Sequence, residues 1–391
     1  MFDLLIKGGV VVDPTQALHE RRDVAVTGGR VAVCEPEISI SEAARVIDAR
    51  DKLVLPGLID LHAHVAHGVI ELGAPPDAAG VLRGVTTVCD AGSVGPANLE
   101  DFRTRVVSGA QTDVLCFVHI ARTGLARMPE IASWEDIDAP RALEAILRNR
   151  DIVRGVKMRA IAAVAQGPGI AAIKMALSVA RQADAPLMVH IGDGLAGSAA
   201  GLMDSFTGQV LSLLDRGDII SHVYTSQPGA AIKPDGTVMP ELLGAKSRGV
   251  ILDTAHGRPN LSFAVARKGL AEGILPTTIS TDLASTNIGG PIYSLLLTMS
   301  KFLALGLSLE QVVKATTAAP AQALGQQGKK GTLRPGVQAD ISIVETLSGS
   351  YRFADGVMGN SVQGDTLLIP HLTVKRGLVV PPAPGAELEI G

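Results

Sequence analysis

The stretch Gly57-Leu58-Ile59-Asp60-Leu61-His62-Ala63-His64 decides how this chain is read. It follows the apolar run Lys52-Leu-Val-Leu-Pro56 and has the composition of a buried strand. Side chains two apart on a strand share a face, so His62 and His64 can aim both imidazoles at one point. Neutral imidazole is the commonest protein ligand for zinc and its neighbours, and two at one strand end form half a metal site. The alternative is two unconnected polar residues at a strand exit. The weight of the pair comes from what lies downstream.

Downstream, the chain repeats one rhythm. Eight short apolar runs each end in polar or catalytically capable residues: Leu58–His62, Thr86–Asp90, Val114–His119, Ile152–Lys157, Leu187–His190, Ile219–His222, Val250–Asp253 and Thr277–Asp282. Helix-like segments such as Arg141–Arg148 and Ile173–Ala180 separate them. Alternating strands and helices predict a parallel sheet, and eight such units fit an α/β fold of the (β/α)8 TIM-type barrel class. In that barrel the C-terminal strand ends carry the chemistry, and the functional candidates sit at those ends. The barrel is expected over residues 56–330.

Both ends of the chain read differently. Over residues 1–55, short apolar runs (Leu4–Ile6, Val10–Val12, Val24–Val26, Val31–Val33) are separated by the turn pairs Gly8-Gly9, Asp13-Pro14 and Gly28-Gly29. Residues 331–380 repeat the style in Gly331–Gly336, Ala339–Val344 and His371–Lys375. The two ends are expected to build one small β-sandwich domain, with 381–391 as a loose tail.

At 391 residues and 47% hydrophobic, the chain can bury a large core. Its net charge of −4 comes from interspersed acids and bases, unlike the clustered basic footprint of a nucleic-acid or membrane-surface binder. The three cysteines (Cys34, Cys89, Cys116) are odd in number and widely spaced, which argues against a disulfide framework and for a reduced cytoplasm. The N-terminal residues show no signal peptide, and the longest apolar stretch, Tyr293–Leu305, is too short to span a bilayer and reads as a buried helix. The partner expected is therefore a small-molecule substrate in the cytoplasm, with no nucleic acid and no membrane.

The strand ends supply His62, His64, Lys157, His190, His222 and Asp282 in that order. Taken together they resemble the amidohydrolase superfamily, in its binuclear, dihydroorotase- and hydantoinase-like group. The segment Gly331-Thr-Leu-Arg-Pro-Gly-Val-Gln-Ala-Asp340 also resembles the turn where such chains re-enter their small β domain. The resemblance implies two divalent metal ions per chain, with zinc the expected metal. It gives His62, His64 and Asp282 to one ion and His190 and His222 to the other. It further implies that Lys157 carries a carbamate bridging both, because an unmodified lysine amine has a pKa of about 10.4 and is a cation at neutral pH. The alternative for Lys157 is a salt-bridged lysine. The implied chemistry is hydrolysis by a metal-bridging hydroxide, with Asp282 as the proton shuttle.

Within the superfamily, the phrases Val88–Gly95, Val156-Lys-Met-Arg159, Asp253-Thr-Ala-His-Gly257 and Ile279–Leu283 resemble a deacetylase-like branch acting on small N- or O-acylated amino and hydroxy acids. Arg159, two beyond Lys157, can share its face and bind a substrate carboxylate; the alternative is a rim salt bridge. Tyr224, two beyond His222, is a candidate cap on the acyl pocket. His256 is a further substrate-contact candidate, and His119 is balanced between structural and substrate roles. A cyclic amidohydrolase opening a dihydroorotate- or hydantoin-like ring shares every metal ligand and is the main rival. A phosphotriester hydrolase shares the bridged pair, and a non-catalytic scaffold normally shows lost ligands. A homo-oligomer is expected, with the apolar segment Ile292–Leu305 suited to a subunit contact.

Overall fold

A computed structural model describes residues 1–357 and 359–385. The N-terminal segment forms β1 (Leu4–Asp13), β2 (Leu18–Thr27), β3 (Arg30–Glu35), β4 (Val46–Asp48) and β5 (Lys52–Pro56). The middle contributes β6 (Leu58–Ala63), β7 (Val85–Ala91), β8 (Asp113–His119), β9 (Val153–Arg159), β10 (Leu187–His190), β11 (Ile219–Ser221) and β12 (Ile251–Asp253). After the last helices come β13 (Ile341–Ala354), β14 (Ser361–Lys375) and β15 (Leu378–Val380).

Strands β6 to β12 lie side by side in sequence order, every pair parallel. The eighth run, residues 277–283, closes the barrel without forming a regular strand. It pairs through single parallel bridges, Asp253 with Thr278 on one side and Ala63 with Leu283 on the other. The Asp282 amide donates to the His62 carbonyl at 2.6 Å, and the His64 amide to the Leu283 carbonyl at 2.7 Å. Asp282 has a φ of 51°, which interrupts an extended ladder. Helices such as Ala139–Arg148 and Ile170–Gln182 pack outside, and their apolar faces join the outward strand residues in the main core. A separate cluster that includes Leu115, Phe117, Met188 and Ile219 meets Ala321 and Leu324 of the helix Ala318–Ala323 and its end.

The terminal strands form one mostly antiparallel sheet in the order β15-β14-β13-β5-β1-β2-β3, with β4 also on β1. Leu4, Ile6, Val24, Val26, Ile341 and Val374 bury its inner face. Two expectations need correction here. Gly8-Gly9 is not a turn but a register shift inside the continuous strand β1, where a Cβ on Gly9 would lie 2.4 Å from Val54. Beyond Val344, β13 and β14 extend as a long hairpin whose residues Thr346–Ser350 are exposed. The apolar segment Ile292–Leu305 is not a free face for a subunit contact. Its helix Leu295–Ala304 is buried in this chain under β14, with Ser300 Oγ accepting from the Leu368 amide at 2.9 Å. In the tail, the Ala383 amide donates to Leu82, and residues 386–391 lie outside the described residues. Among the described residues no helix is long and apolar enough to cross a membrane.

Candidate metal centre

The C-terminal ends of β6, β9, β10 and β11 and the closing segment bring six polar side chains to one place. On β6, Leu61 and His62 lie between the paired Asp60 and Ala63 where β7 has Cys89 alone, a bulge of the kind that re-aims side chains at a strand end. His62 Nε2 lies 3.4 Å from Lys157 Nζ and 3.5 Å from Asp282 Oδ1. The same Asp282 oxygen is 3.1 Å from His64 Nε2. Across the site, His190 Nδ1 and His222 Nε2 face each other at 2.7 Å. Ligand atoms of His62, His222 and Asp282 all fall within 4.8 Å of one another.

The second nitrogen of each imidazole is also accounted for. His222 Nδ1 donates to the Ala255 carbonyl at 2.7 Å, and His190 Nε2 to the Gly192 carbonyl at 2.9 Å. A carbonyl only accepts, so those nitrogens carry the protons and the inward ones present lone pairs. His64 Nδ1 meets Ser93 Oγ at 2.9 Å. His62 Nδ1 meets Ser221 Oγ at 3.1 Å, with Asp253 at 3.6 Å behind it. Asp253 is itself bound by the Thr278 and Ser280 hydroxyls at 2.7 and 2.8 Å.

Burial keeps the imidazoles neutral. It holds His62 and His190 well below the ordinary range, with the charges of Lys157 and His222 respectively adding to the effect. His222 falls to about 4, where burial outweighs the opposing attraction of Asp282. Burial likewise brings the Lys157 amine down to about 7. Asp282 behaves oppositely. Burial would raise it, but the His64 hydrogen bond and the nearby His222 and Lys157 charges hold it below the usual carboxylate value. Two neutral imidazoles with lone pairs 2.7 Å apart repel unless a cation sits beside them, and a proton is disfavoured by the same burial. Four nitrogens, a carboxylate and a lysine amine therefore fit divalent metal ions of the zinc type.

The backbone is shaped around these groups. His222, Ala255 and Asp282 have φ of 70°, 38° and 51°, a left-handed conformation that non-glycine residues adopt at a cost of about 1–3 kcal/mol and mostly at functional sites. Gly92 passes so close that a Cβ there would lie 2.5 Å from Lys157 Cβ. At Gly257 a Cβ would lie 2.3 Å from Asp282 Oδ2.

The family model described as "Amidohydrolase family" matches residues 53–377, most of the chain. The chain belongs to the amidohydrolase family. A deacetylase of Agrobacterium fabrum is 31% identical over 375 residues, covering 95% of this chain and 87% of that one. A crystal structure of an adenine deaminase superposes with a TM-score of 0.87 at 28% identity, covering 97% of this chain and 100% of that one. A crystal structure of a dihydroorotase superposes with a TM-score of 0.85 at 29% identity, covering 97% of each. This amidohydrolase is accordingly a metal-dependent hydrolytic enzyme, and its ligand cluster fits the binuclear centre typical of the family.

The other singled-out residues fall less uniformly. Arg159 stays on β9 two residues beyond Lys157, its side chain 16% exposed, with Nη1 3.1 Å from Glu130 Oε2. Tyr224 does not cap a pocket. It is fully buried, donates to the Ile274 carbonyl at 2.6 Å and packs near Phe302, because the positive φ at His222 ends the strand alternation that would have carried it inward. His256 is also fully buried, bonded to the Gly257 carbonyl at 2.7 Å and to Lys301 Nζ at 2.9 Å. His119 is buried beside Lys157, its register partner on β9. Unforeseen in the sequence are Asp60, bound to the Thr281 hydroxyl at 2.5 Å, and the buried Glu130. Asp60 sits two before His62 and could have been flagged by that spacing. Glu130 carried no local signal.

Proposed function

We propose that this amidohydrolase removes the acyl group, acetyl foremost, from small N- or O-acylated amino and hydroxy acids. The observation that carries this reading is Arg159, a guanidinium with some solvent exposure on the strand that ends beside the metal-ligand cluster. Its charge is felt at His190 and His222. Such a group suits a substrate carboxylate next to the bond being cleaved. The likeness to the Agrobacterium deacetylase supports the same direction.

In this reading His62, His64 and Asp282 would hold one ion, His190 and His222 the other, and Lys157 as a carbamate would serve both, with zinc the expected metal. When bound, two such ions supply a hydroxide nucleophile at neutral pH and a Lewis acid for the acyl carbonyl. Burial of Lys157 serves the modification. With its pKa brought to about 7, a good fraction of the amine is neutral at pH 7. The neutral nitrogen forms its bond to the carbon of CO2, and one proton leaves to solvent. The Ala255 and Gly192 carbonyls keep His222 and His190 in the tautomers that face the ions. Asp282 accepts the nucleophile's proton and returns it to the departing amine or alkoxide, with the Asn260 side chain 3.4 Å from its Oδ2. Arg159 orients the substrate by its carboxylate.

A panel of N-acetyl amino acids, O-acetyl hydroxy acids, neutral acetate esters, dihydroorotate and hydantoins, assayed with metal-loaded enzyme, tests the reading. Acetate release favouring carboxylate-bearing substrates is expected, with two metal ions per chain by elemental analysis. Arg159→Met should lower kcat/KM on those substrates by roughly ten- to a hundredfold and leave neutral esters much less affected. Efficient ring opening would instead assign a cyclic amidohydrolase, the reading that the likeness to the dihydroorotase structure favours.

A further inference from the structure

Beside the cluster of candidate metal ligands lie two buried polar atoms without any hydrogen-bond partner among the described residues: His119 Nε2 and Glu130 Oε1. They are 3.8 Å apart, and both side chains are fully buried. His119 ends β8 in register with Lys157. Only glycine fits between them, since a Cβ on Gly92 would lie 2.5 Å from Lys157 and 3.5 Å from His119 Cδ2. The Ala121 amide donates to His119 Nδ1 at 2.9 Å, so the imidazole proton sits on Nε2. That N–H therefore looks toward a carboxylate oxygen that has no other donor. Closing the gap to bonding distance takes a movement of under about 1 Å. The other oxygen of Glu130 accepts from Arg159 Nη1 at 3.1 Å.

The chain of contacts thus runs from a rigid strand end to the rim: Ala121 amide, His119, Glu130, Arg159. Of its side chains Arg159 alone reaches solvent, at 16% exposure against 0% for His119 and Glu130. Arg159 Nη1 also lies 3.6 Å from the sulfur of Met128, half exposed on the same loop as Glu130. A guanidinium has five N–H donors in a fixed fork, so fixing one edge against Glu130 leaves the remaining donors aimed in a set direction. A carboxylate is the side chain that can serve both neighbours here, because it accepts at both oxygens and so satisfies an imidazole N–H on one side and a guanidinium on the other. A buried arginine partner used for stability alone would need no second donor behind it.

We propose that His119 and Glu130 are positioning residues that set the direction of the Arg159 guanidinium, and through it the enzyme's selectivity for substrates bearing a carboxylate near the scissile acyl bond. The proposal rests on the reading of Arg159 as the carboxylate receptor. His119 touches neither substrate nor metal in it. Loss of the His119 N–H frees Glu130 to turn, the arginine fork loses its fixed edge, and carboxylate-bearing substrates bind in a less productive orientation. Neutral substrates do not use the fork and are indifferent.

The test is a double-mutant cycle in the metal-loaded enzyme, with kcat and KM measured on an N-acetyl amino acid and on a neutral acetate ester. His119→Phe keeps ring volume and removes the N–H. It should lower kcat/KM for the carboxylate substrate by about five- to thirtyfold, mainly through KM, and change the neutral ester by less than about twofold. His119→Gln retains a side-chain N–H and should recover most of the loss. Glu130→Gln offers one acceptor where two donors wait, and should behave like His119→Phe. In an Arg159→Met background, His119→Phe should cost less than about twofold further. Equal losses on both substrates, or a full additive loss in the Arg159→Met background, overturn the relay. If His119→Phe does not fold, Glu130→Gln is read by the same criteria. Failure of the underlying reading looks different. There Arg159→Met itself loses both substrates equally, which removes the carboxylate receptor and the relay together. In failure of the relay alone, Arg159→Met discriminates and His119→Phe does not.

Discussion

Asp282 concentrates two demands on one side chain. In the proposed mechanism it must stay ionised to hold a metal and must accept a proton to move one. Its environment answers the first, since the His64 hydrogen bond and nearby positive charge keep it below the usual carboxylate value despite the burial that would raise it. Asp282→Asn retains an oxygen that can ligate but no base, so kcat should fall by about 10²–10⁴-fold while elemental analysis still finds metal. Near-native turnover with metal retained would remove Asp282 from the proton path. Lys157→Ala should lose metal and activity together, with partial recovery on adding short carboxylic acids that can occupy the bridge. Full activity in that variant would refute the carbamate. These residues were legible in sequence as candidate ligands because metal chemistry admits few residue types and the barrel admits few places for them. Tyr224 was misread because period-two alternation was carried past His222, whose φ of 70° breaks it. Glu130 could not be read at all, since its partner Arg159 lies 29 residues away and only the tertiary fold brings them together.

At the scale of elements, the helix Leu295–Ala304 shows how a core segment can carry a functional group. Its apolar run was legible as a buried helix, but the reason for Lys301 inside it was not. Lys301 is 1% exposed and donates to the Pro291 carbonyl at 2.8 Å and to His256 at 2.9 Å, in the loop that ends against Asp282. Burial brings its pKa to about 7. The unfolded value is about 10.4, so between these limits the unfolded chain binds more protons than the folded one, and stability rises with pH. Below pH 7 both states are charged and the folded state bears the full cost. Above the unfolded value the contribution is flat. Relative to Lys301→Met, the native protein should therefore gain up to about 1.4 kcal/mol per pH unit across that window. Denaturant unfolding of both proteins at pH 7 and pH 9.5 checks this, and parallel changes in the two would refute it. The closing segment, residues 277–283, illustrates the converse. Its pattern reads as a strand, yet the positive φ at Asp282 leaves it as single bridges, because aiming a carboxylate at the metal cluster competes with a regular ladder.

The whole molecule depends on joining two sheets made from three chain segments. Both the alternating middle and the β-rich ends could be read from periodicity, but the joint between them could not, because its charges are scattered over more than 260 residues. Asp113 opens β8 at the end opposite the metal ligands, about 20 Å away along the strand by its usual rise. There it meets Lys375 at 2.7 Å, Arg376 at 2.5 Å and Lys330, all brought by the C-terminal segment. Asp340 shares Lys375 at 2.8 Å and Lys330 at 3.1 Å, and its carbonyl accepts from Gly57, the residue between β5 and β6. Two carboxylates thus hold three cations: Asp340 and Lys375 are buried, Asp113 and Lys330 partly exposed, and Arg376 is exposed. Asp113→Asn leaves Lys330 and Lys375 with Asp340 alone and the Arg376 guanidinium without its carboxylate, and removing one partner of a buried pair typically costs about 3–5 kcal/mol. With an unfolding entropy of about 0.8 kcal/mol/K for a chain of this length, Tm should fall by roughly 4–6 °C at pH 7. Turnover at 25 °C should be unchanged, since the metal cluster lies at the other strand end. The pH dependence gives a second check. Burial would raise Asp113, but Lys330 and Lys375 hold its carboxyl far below the ordinary range. Its contribution is therefore complete above the unfolded value of about 3.9 and is lost as pH falls toward the folded one. The gap in Tm between native and Asp113→Asn proteins should narrow as pH drops below about 4. A gap that holds constant to the lowest pH at which the native protein is folded would mean that packing, and not charge, makes the joint.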